Sequence, residues 1–201
     1  MARLQLSKSA LNREERQLAT FERFLPSLDL KRRQLLAERG KARERLAATR
    51  EEIEALRRDV VEAIPMLANR DVDLTGLARI AEVGVGTENV LGARLPTLDA
   101  VRVEIHPYAF MAKPQWVDRV AADLECMVAL RLRLQVEARR LALLEVAVKK
   151  ITQRVNLFDK VLIPRARGNI KKIEVFLADG ERAGVVRSKL AKRKHALQAP
   201  P

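Results

Sequence analysis

The sequence predicts a mainly α-helical protein: a long N-terminal and a long C-terminal helix pair as an antiparallel coiled coil, with a small β-hairpin-containing head between them. Three observations support this fold class. Apolar residues recur in alternating steps of three and four along both ends of the chain. Glycine and proline cluster in the middle, between Gly76 and Pro114. Aromatic residues are 3% of the chain and charged residues 32%, which is typical of thin helical seams rather than thick cores.

The N-terminal segment, residues 1–65, carries an apolar seam along one predicted helix. Pro26 and Gly40 lie inside this pattern, and we expect Pro26 to bend the helix or to unwind it locally. Pro65 predicts the end of the helix, because the residue before a proline is pushed out of helical geometry. The seam consists of Leu18, Phe21, Leu28, Leu35, Leu46, Ile53 and Leu56, with polar interruptions at Glu14, Arg32, Arg39 and Thr49.

The C-terminal segment, residues 118–180, carries a second seam, and residues 181–201 are predicted to form a basic tail after the helix is weakened by Gly180 and Gly184. A helix over about 130–177 would be roughly 70 Å long at about 1.5 Å per residue, too long for one wall of a compact domain. The N-terminal segment is the expected partner; a parallel dimer of two copies is the alternative. The seam consists of Leu134, Leu141, Leu144, Val148, Ile151, Val155, Phe158 and Leu162, with Glu137 as its polar member.

Residues 66–117 differ from both flanking segments and form the predicted head. Ala81 to Val85 and Val101 to Ile105 are typical of strands, and the second alternates apolar with charged residues. A short helix is predicted near Leu74 to Ile80. Because an isolated two-stranded hairpin is marginally stable, we expect the head to rest on the helices and to cap the end of the pair.

Charge and cysteine content restrict the partners and the compartment. The formal net charge is +13, and residues 118–201 alone carry a net of +10. Such a surface favours an acidic partner, which is nucleic acid, a lipid surface or another protein. Cys126 is the single cysteine, which suits a reducing compartment, and we expect it to be a small buried thiol. Without a membrane-spanning apolar run or a secretory leader, the chain is predicted to be intracellular and soluble.

The sequence contains no motif that predicts catalysis, a cofactor or a bound metal. Gly40-Lys41 lacks the remaining residues of a nucleotide-binding loop, and Gly84-Val85-Gly86 is better explained by bends in a β-ribbon. Two histidines, His106 and His195, cannot form a metal cluster with one cysteine. We therefore predict a chain that is not itself an enzyme and that binds no cofactor.

Several motifs, spread in order along the chain, resemble one family. They are Ser7-Lys8-Ser9-Ala10-Leu11 near the start, Gly86-Thr87-Glu88-Asn89-Val90-Leu91-Gly92 in the middle, and Arg154-Val155-Asn156-Leu157 with Ile163-Pro164-Arg165 near the end. The most characteristic positions are Arg154, Asn156, Pro164, Gly86, Asn89 and Gly92. Together they resemble the D subunit of V-type and archaeal-type ATPases. One departure is Phe24-Leu25-Pro26-Ser27, where the family usually has a glycine-containing helical stretch.

The resemblance implies a role as the rotor, or axle, of the central stalk. It implies contact with the ring of A and B subunits, with the F subunit on the coiled coil, and with a d- or C-type membrane-sector coupling subunit at the head. It also implies a place on the cytoplasmic side, peripheral to the membrane, in a machine that couples ATP hydrolysis or synthesis to proton or sodium transport.

One group of basic residues is predicted to face acidic loops inside the ring: Arg182, Arg187, Lys189, Lys192 and Arg193. Two other functions stay open from the residues alone. They are a basic coiled-coil protein that binds nucleic acid and a stalk adaptor of a secretion-type ATPase.

Overall fold

The computed structural model describes residues 4–68, 72, 74–108 and 113–198, and it is mainly helical. Long helices occupy both ends of the chain and an antiparallel β-hairpin lies between them in sequence, so the predicted fold class is confirmed. The elements are helix α1 (Lys8–Ala63), a 3₁₀ turn (Pro65–Ala68), strands β1 (Ala78–Val90) and β2 (Ala93–Ile105), helix α2 (Trp116–Leu157), a π-helix (Phe158–Leu162) and helix α3 (Ile163–Gln198).

The chain folds as two compact units, which we name by their place in the sequence. The terminal unit contains residues 4–31 and 151–198, and the central unit contains residues 32–150. In the central unit α1 packs antiparallel to α2, because Arg43 binds Glu145 at 2.8 Å whereas Thr49, further along α1, binds the earlier residue Glu137. In the terminal unit α1 likewise contacts α3, where the Nδ2 of Asn169 donates to Glu14 at 3.1 Å.

The core of the central unit includes one polar pair. Thr49 is only 1% exposed, and its hydroxyl donates to Glu137 Oε2 at 2.8 Å. Glu137 also accepts from Arg133 Nε at 3.3 Å. One polar member of each predicted seam therefore meets a polar member of the other instead of facing apolar side chains. Their apolar surroundings include Leu35, Ala42, Leu46, Ile53, Leu144 and Val148, all buried.

Every residue of the two predicted seams is buried or half-buried. The most protected lie near the middle of each seam, where Leu35 is 2% and Leu144 is 1% exposed. Phe21 and Phe158 contact each other across the pair, and the coiled-coil seam with its left-handed supercoil stays a prediction.

The β-hairpin closes through a two-residue turn. Val90 pairs with Ala93, and the intervening Leu91 and Gly92 have φ angles of 53° and 83°. Positive φ at both central positions is the type I′ turn that matches the twist of antiparallel strands. The side chain of Asn89 accepts a hydrogen bond from the Gly92 N–H at 2.9 Å, which holds the turn.

The hairpin lies along the helices of the central unit. Arg140 of α2 donates to Glu88 of β1 at 2.7 Å, and Leu95 at the start of β2 is fully buried. A groove separates Pro96 of β2 from Ala42 of α1. The strands have 13 residues and extend about 43 Å, and Glu88, ten residues beyond the start of β1, still contacts α2. The prediction that the head merely caps the helix end is therefore wrong.

The base of the hairpin packs on the start of α2. Leu77, Val117 and Ala121 are buried there, with Ile105 beside them. The short helix predicted near Leu74 to Ile80 is wrong, because Ala78 already belongs to β1 and pairs with Ile105. The strand is favoured since β2 offers backbone partners along its length, with two register shifts.

Helix-breaking residues have different effects at different places. Helix α1 continues through Pro26, so the local unwinding considered for this position is not found. Helix α3 likewise continues through Gly180 and Gly184 to Gln198, and residues 199–201 of the predicted tail lie outside the described residues. Immediately before Pro164, however, Phe158–Leu162 widen into a π-helix. Proline lacks an N–H and crowds the preceding turn, so the backbone there departs from the α-helical pattern.

Removing one partner of the buried polar pair should destabilise the protein. Glu137→Ala leaves the buried Thr49 hydroxyl without its acceptor, and we expect a loss of about 1–3 kcal/mol in the free energy of unfolding, measured by urea denaturation. A double-mutant cycle with Thr49→Val should give a coupling energy of about 1 kcal/mol. The matched control is the exposed pair Arg43 and Glu145, where the coupling should be about 0.5 kcal/mol or less. Equal coupling in both cycles would contradict the assignment.

The single tyrosine reports on the base of the hairpin. The Tyr108 hydroxyl donates to Asp118, and this hydrogen bond raises the pKa of Tyr108 above 10.0, helped by partial desolvation and by the carboxylate charge. Because the pKa is raised in the folded state, the hydrogen bond between Tyr108 and Asp118 contributes its full stabilisation below pH 10. This stabilisation is lost as the pH rises through the raised pKa. In a titration of tyrosinate absorbance, Asp118→Asn should lower the pKa towards its ordinary value. Asp123→Asn, which removes a partner of Arg119, should leave it unchanged.

Candidate interaction surface

Helix α3 extends beyond the part of the terminal unit in which it has a helical partner. Its buried residues end at Ile173, which is fully buried. Asn169 faces Glu14, so Lys8 at the start of α1, six residues earlier, lies opposite about residue 175. Past this level none of the described side chains of α3 is buried. We call residues 178–194 the extension; they form a single helix with exposed sides.

The extension presents cations and apolar side chains together. Five cationic side chains predicted from the sequence are exposed: Arg182, Arg187, Lys189, Lys192 and Arg193. The Nη1 atom of Arg182 lies 3.6 Å from Oδ1 of Asp179. Val185, Val186 and Leu190 are each more than half exposed. Side chains that combine charge with apolar area suit a surface that is covered by a partner, because scattered apolar groups gain from burial while the cations provide orientation.

The faces of the extension follow from helical spacing. Arg182, Val186, Lys189 and Arg193 are separated by four, three and four residues and therefore lie on one face. Gly180, Gly184 and Ser188 follow one another in steps of four along a different face, where the Ser188 hydroxyl donates to the Gly184 carbonyl at 3.0 Å. A Cβ added at Gly180 or Gly184 would meet open space, so these glycines are not required by packing inside the described chain.

The characteristic family positions fall at two separate places. Arg154, Asn156 and Pro164 are exposed on the terminal unit, on either side of the π-helix. Asn89 and Gly92 form the hairpin turn of the central unit. At Gly86 a Cβ would lie 2.6 Å from the hydroxyl of Thr97 and would also collide with the carboxylate of Asp99, so a larger residue there would require these side chains to move.

Other candidate positions take structural roles. Gly40 and Lys41 lie inside helix α1, where Lys41 pairs with Glu38 at 2.9 Å. Gly84 lies at a bulge of β1, which confirms the interpretation as a bend.

Cys126 is exposed, so the prediction of a buried thiol is wrong. Its neighbour Met127 is half-buried, but successive residues of a helix point about 100° apart.

His106 at the end of β2 is exposed, and the side chain of His195 lies outside the described residues. Within the described ranges, no three His, Cys, Asp or Glu side chains come together in a way that could hold a metal ion. Over the same residues, no helix is both long enough and apolar enough to cross a bilayer.

Sequence reasoning missed the polar contacts between the chain segments. Glu14 contacts Asn169, and Glu22 binds Arg167 at 2.7 Å in the terminal unit. The available signal was the presence of polar residues, such as Glu14, inside otherwise apolar seams. The partner of each could not be found in this way, because the partners lie more than a hundred residues away in sequence.

Comparison with known proteins gives the same family over nearly the whole chain. The family model for the ATP synthase D subunit matches residues 10–193. The V-type ATP synthase D subunit of Borreliella burgdorferi is 30% identical over 192 residues, which cover 96% of this chain and 95% of that protein. Proteins of the same name are 30% identical over 196 residues in Chlamydia trachomatis (96% of each chain) and 29% identical over 198 residues in Chlamydia felis (96% of this chain and 94% of that one). The resemblance found in the sequence is thereby confirmed: the chain belongs to the ATP synthase D subunit family.

Proposed function

We propose that this chain is the central-stalk rotor subunit of a V-type or archaeal-type rotary ATPase. In this role it transmits torque between a catalytic ring of A and B subunits and the ion-translocating rotor in the membrane. ATP hydrolysis or synthesis is thereby coupled to proton or sodium transport. The observation that carries the proposal is the antiparallel packing of α1 on the later helices, joined to an extension of α3 that has exposed cations and, among the described residues, no helical partner.

The packing of the helices suits a torque-bearing part. A single helix twists easily, whereas two helices that are linked at several levels resist sliding past one another. In the central unit the links include the buried contact between Thr49 and Glu137 and the ion pair of Arg43 and Glu145. In the terminal unit Asn169 donates to Glu14 at 3.1 Å. Such links lie within each unit and stiffen it against relative movement of its helices.

The extension suits a position inside the ring. Five of its exposed cations, Arg182, Arg187, Lys189, Lys192 and Arg193, would face acidic loops of the A and B subunits. Exposed ion pairs are individually weak and are screened by salt, so they can break and reform as the rotor passes each equivalent position of the ring. A surface with deep, permanent pockets for one position would instead stop the rotation.

The remaining partners are proposed from the family alone. The F subunit would bind along the paired helices, and a d- or C-type coupling subunit of the membrane sector would contact the head. The chain would act on the cytoplasmic side, peripheral to the membrane, as a non-catalytic subunit without a cofactor. Hydrolysis or synthesis of ATP would take place in the ring.

The basic extension can be tested in a reconstituted complex. We expect replacement of Arg182, Arg187, Lys189, Lys192 and Arg193 with Gln to reduce ATP-driven rotation and ion transport, because the attraction to the ring is lost while helix propensity is kept. The matched control replaces five other exposed cations with Gln: Lys149, Lys150, Lys160, Lys171 and Lys172. It has the same net charge and should retain more activity. Equal activity of the first variant and the unmodified complex would refute the role of these cations.

Affinity capture of the tagged full chain from its native cells separates the rotor from the alternative functions. We expect A-type and B-type ATPase subunits and a small F-type subunit in the captured material at moderate salt. Capture of nucleic acid without ATPase subunits, with binding that weakens steeply as salt is raised, would instead indicate a nucleic-acid-binding protein. Capture of a secretion-type ATPase would indicate the adaptor function.

A further inference from the structure

Two interruptions of helical hydrogen bonding occur in the terminal unit. Pro26 lies inside α1 and has no N–H, so it cannot donate to the carbonyl oxygen of Glu22 four residues earlier. On the other side of the pair, Phe158–Leu162 form the π-helix, and the N–H of Ile163 donates to the carbonyl of Phe158, five residues back. Pro164, which follows, again contributes no N–H.

Both interruptions lie at one level of the helix pair. The rings of Phe21 and Phe158 meet edge to face, with centroids 5.5 Å apart. Glu22 binds Arg167 at 2.7 Å. The segment of α1 just before Pro26 is therefore in contact with residues on both sides of Pro164. At this level both helices lack part of the regular backbone hydrogen bonding of an α-helix. Neither helix can therefore support the other with an intact backbone.

The π-helix also contributes little to the packing at this level. The π-helix has no buried residue, and the nearest buried positions are Val155 before it and Ile163 at its end. Three apolar side chains around this level are about half exposed: Phe24 at 50%, Leu157 at 45% and Val161 at 49%. The hydroxyl of Ser27 donates to the Phe24 carbonyl at 2.8 Å, a type of side-chain bond that is associated with bent helices.

We propose that this level, residues 21–27 with residues 158–167, is a compliant joint at which the helix pair of the terminal unit bends and twists in preference to the levels beside it. Fewer backbone hydrogen bonds and less buried apolar area both lower the free energy of local opening. The proposal goes beyond the rotor function and does not rest on it. In a rotor, such a joint would take up twist between successive steps.

Amide hydrogen exchange of the full chain, followed by mass spectrometry, tests the joint. Exchange through local opening should be faster in peptides that cover 19–30 and 155–170 than in the matched helical peptides 42–53 and 140–150 of the central unit. Those peptides contain the buried Leu46, Thr49, Leu144 and Val148. Equal or slower exchange at 19–30 would overturn the proposal.

The variant Pro26→Ala restores the missing donor to the Glu22 carbonyl. We expect exchange at 19–30 to slow by about fivefold, which is about 1 kcal/mol for one helical hydrogen bond. Because the two interruptions share one level, exchange at 155–170 on the facing helix should slow as well. The control Thr20→Ala raises helix propensity at an exposed position of α1 and should leave 155–170 unchanged. Slowing confined to α1 in Pro26→Ala would overturn the joint.

A reciprocal variant removes the defect on the other helix. Deletion of Val161 together with Pro164→Ala takes out the extra residue of the π-helix and restores a donor, so a regular α-helix can form. Exchange at 19–30 should then slow, although α1 itself is unchanged; unchanged exchange there in a folded variant would overturn the joint. If the deletion variant does not fold, the comparison of Pro26→Ala with Thr20→Ala decides the question.

Discussion

The structure depends on the need of one long amphipathic helix to cover its apolar face. Within each unit the seam of helix α1 is covered by the later helices of the same chain. In the central unit Leu35, Leu46 and Ile53 are buried in this way, as are Leu144 and Val148 of α2. Two helices bury less area per residue than a globular core, so each buried contact contributes a large share of the stability. The hairpin adds to it by covering part of both helices.

Apolar seams alone leave the register of two helices poorly defined, because a shift by one turn replaces one Leu or Val with another. The buried pair of Thr49 and Glu137 removes this ambiguity. A shift of the helices would leave the Thr49 hydroxyl buried without an acceptor, and such a group is costly. Glu14 with Asn169 is a half-buried polar contact of the same kind in the terminal unit. Polar residues that interrupt a seam therefore specify the alignment, at some cost in buried apolar area.

The terminal unit differs from the central unit in that the pairing of its helices is incomplete. Helix α3 continues past the start of α1, and its cations and apolar side chains there are not covered by any described residue. The prolines and the π-helix weaken the same unit at one level. In the central unit, by contrast, the hairpin adds further contacts to α1 and α2. The exposed extension and the compliant joint thus lie in the unit that we propose to work inside the ring.

The sequence by itself determined the helices, the hairpin, the uneven charge and the family, because each of these depends on local information. The spacing of apolar residues, the positions of prolines and the short motifs are all properties of residues close together in the chain. Only the tertiary structure decided that Ala78 to Ile80 form a strand, that the hairpin lies along the helices and that Cys126 is exposed. It also decided that Thr49 and Glu137, polar interruptions of different seams, meet. These outcomes depend on which distant segment covers which face, and that choice is made by packing across 50 to 100 residues of sequence rather than by any local preference.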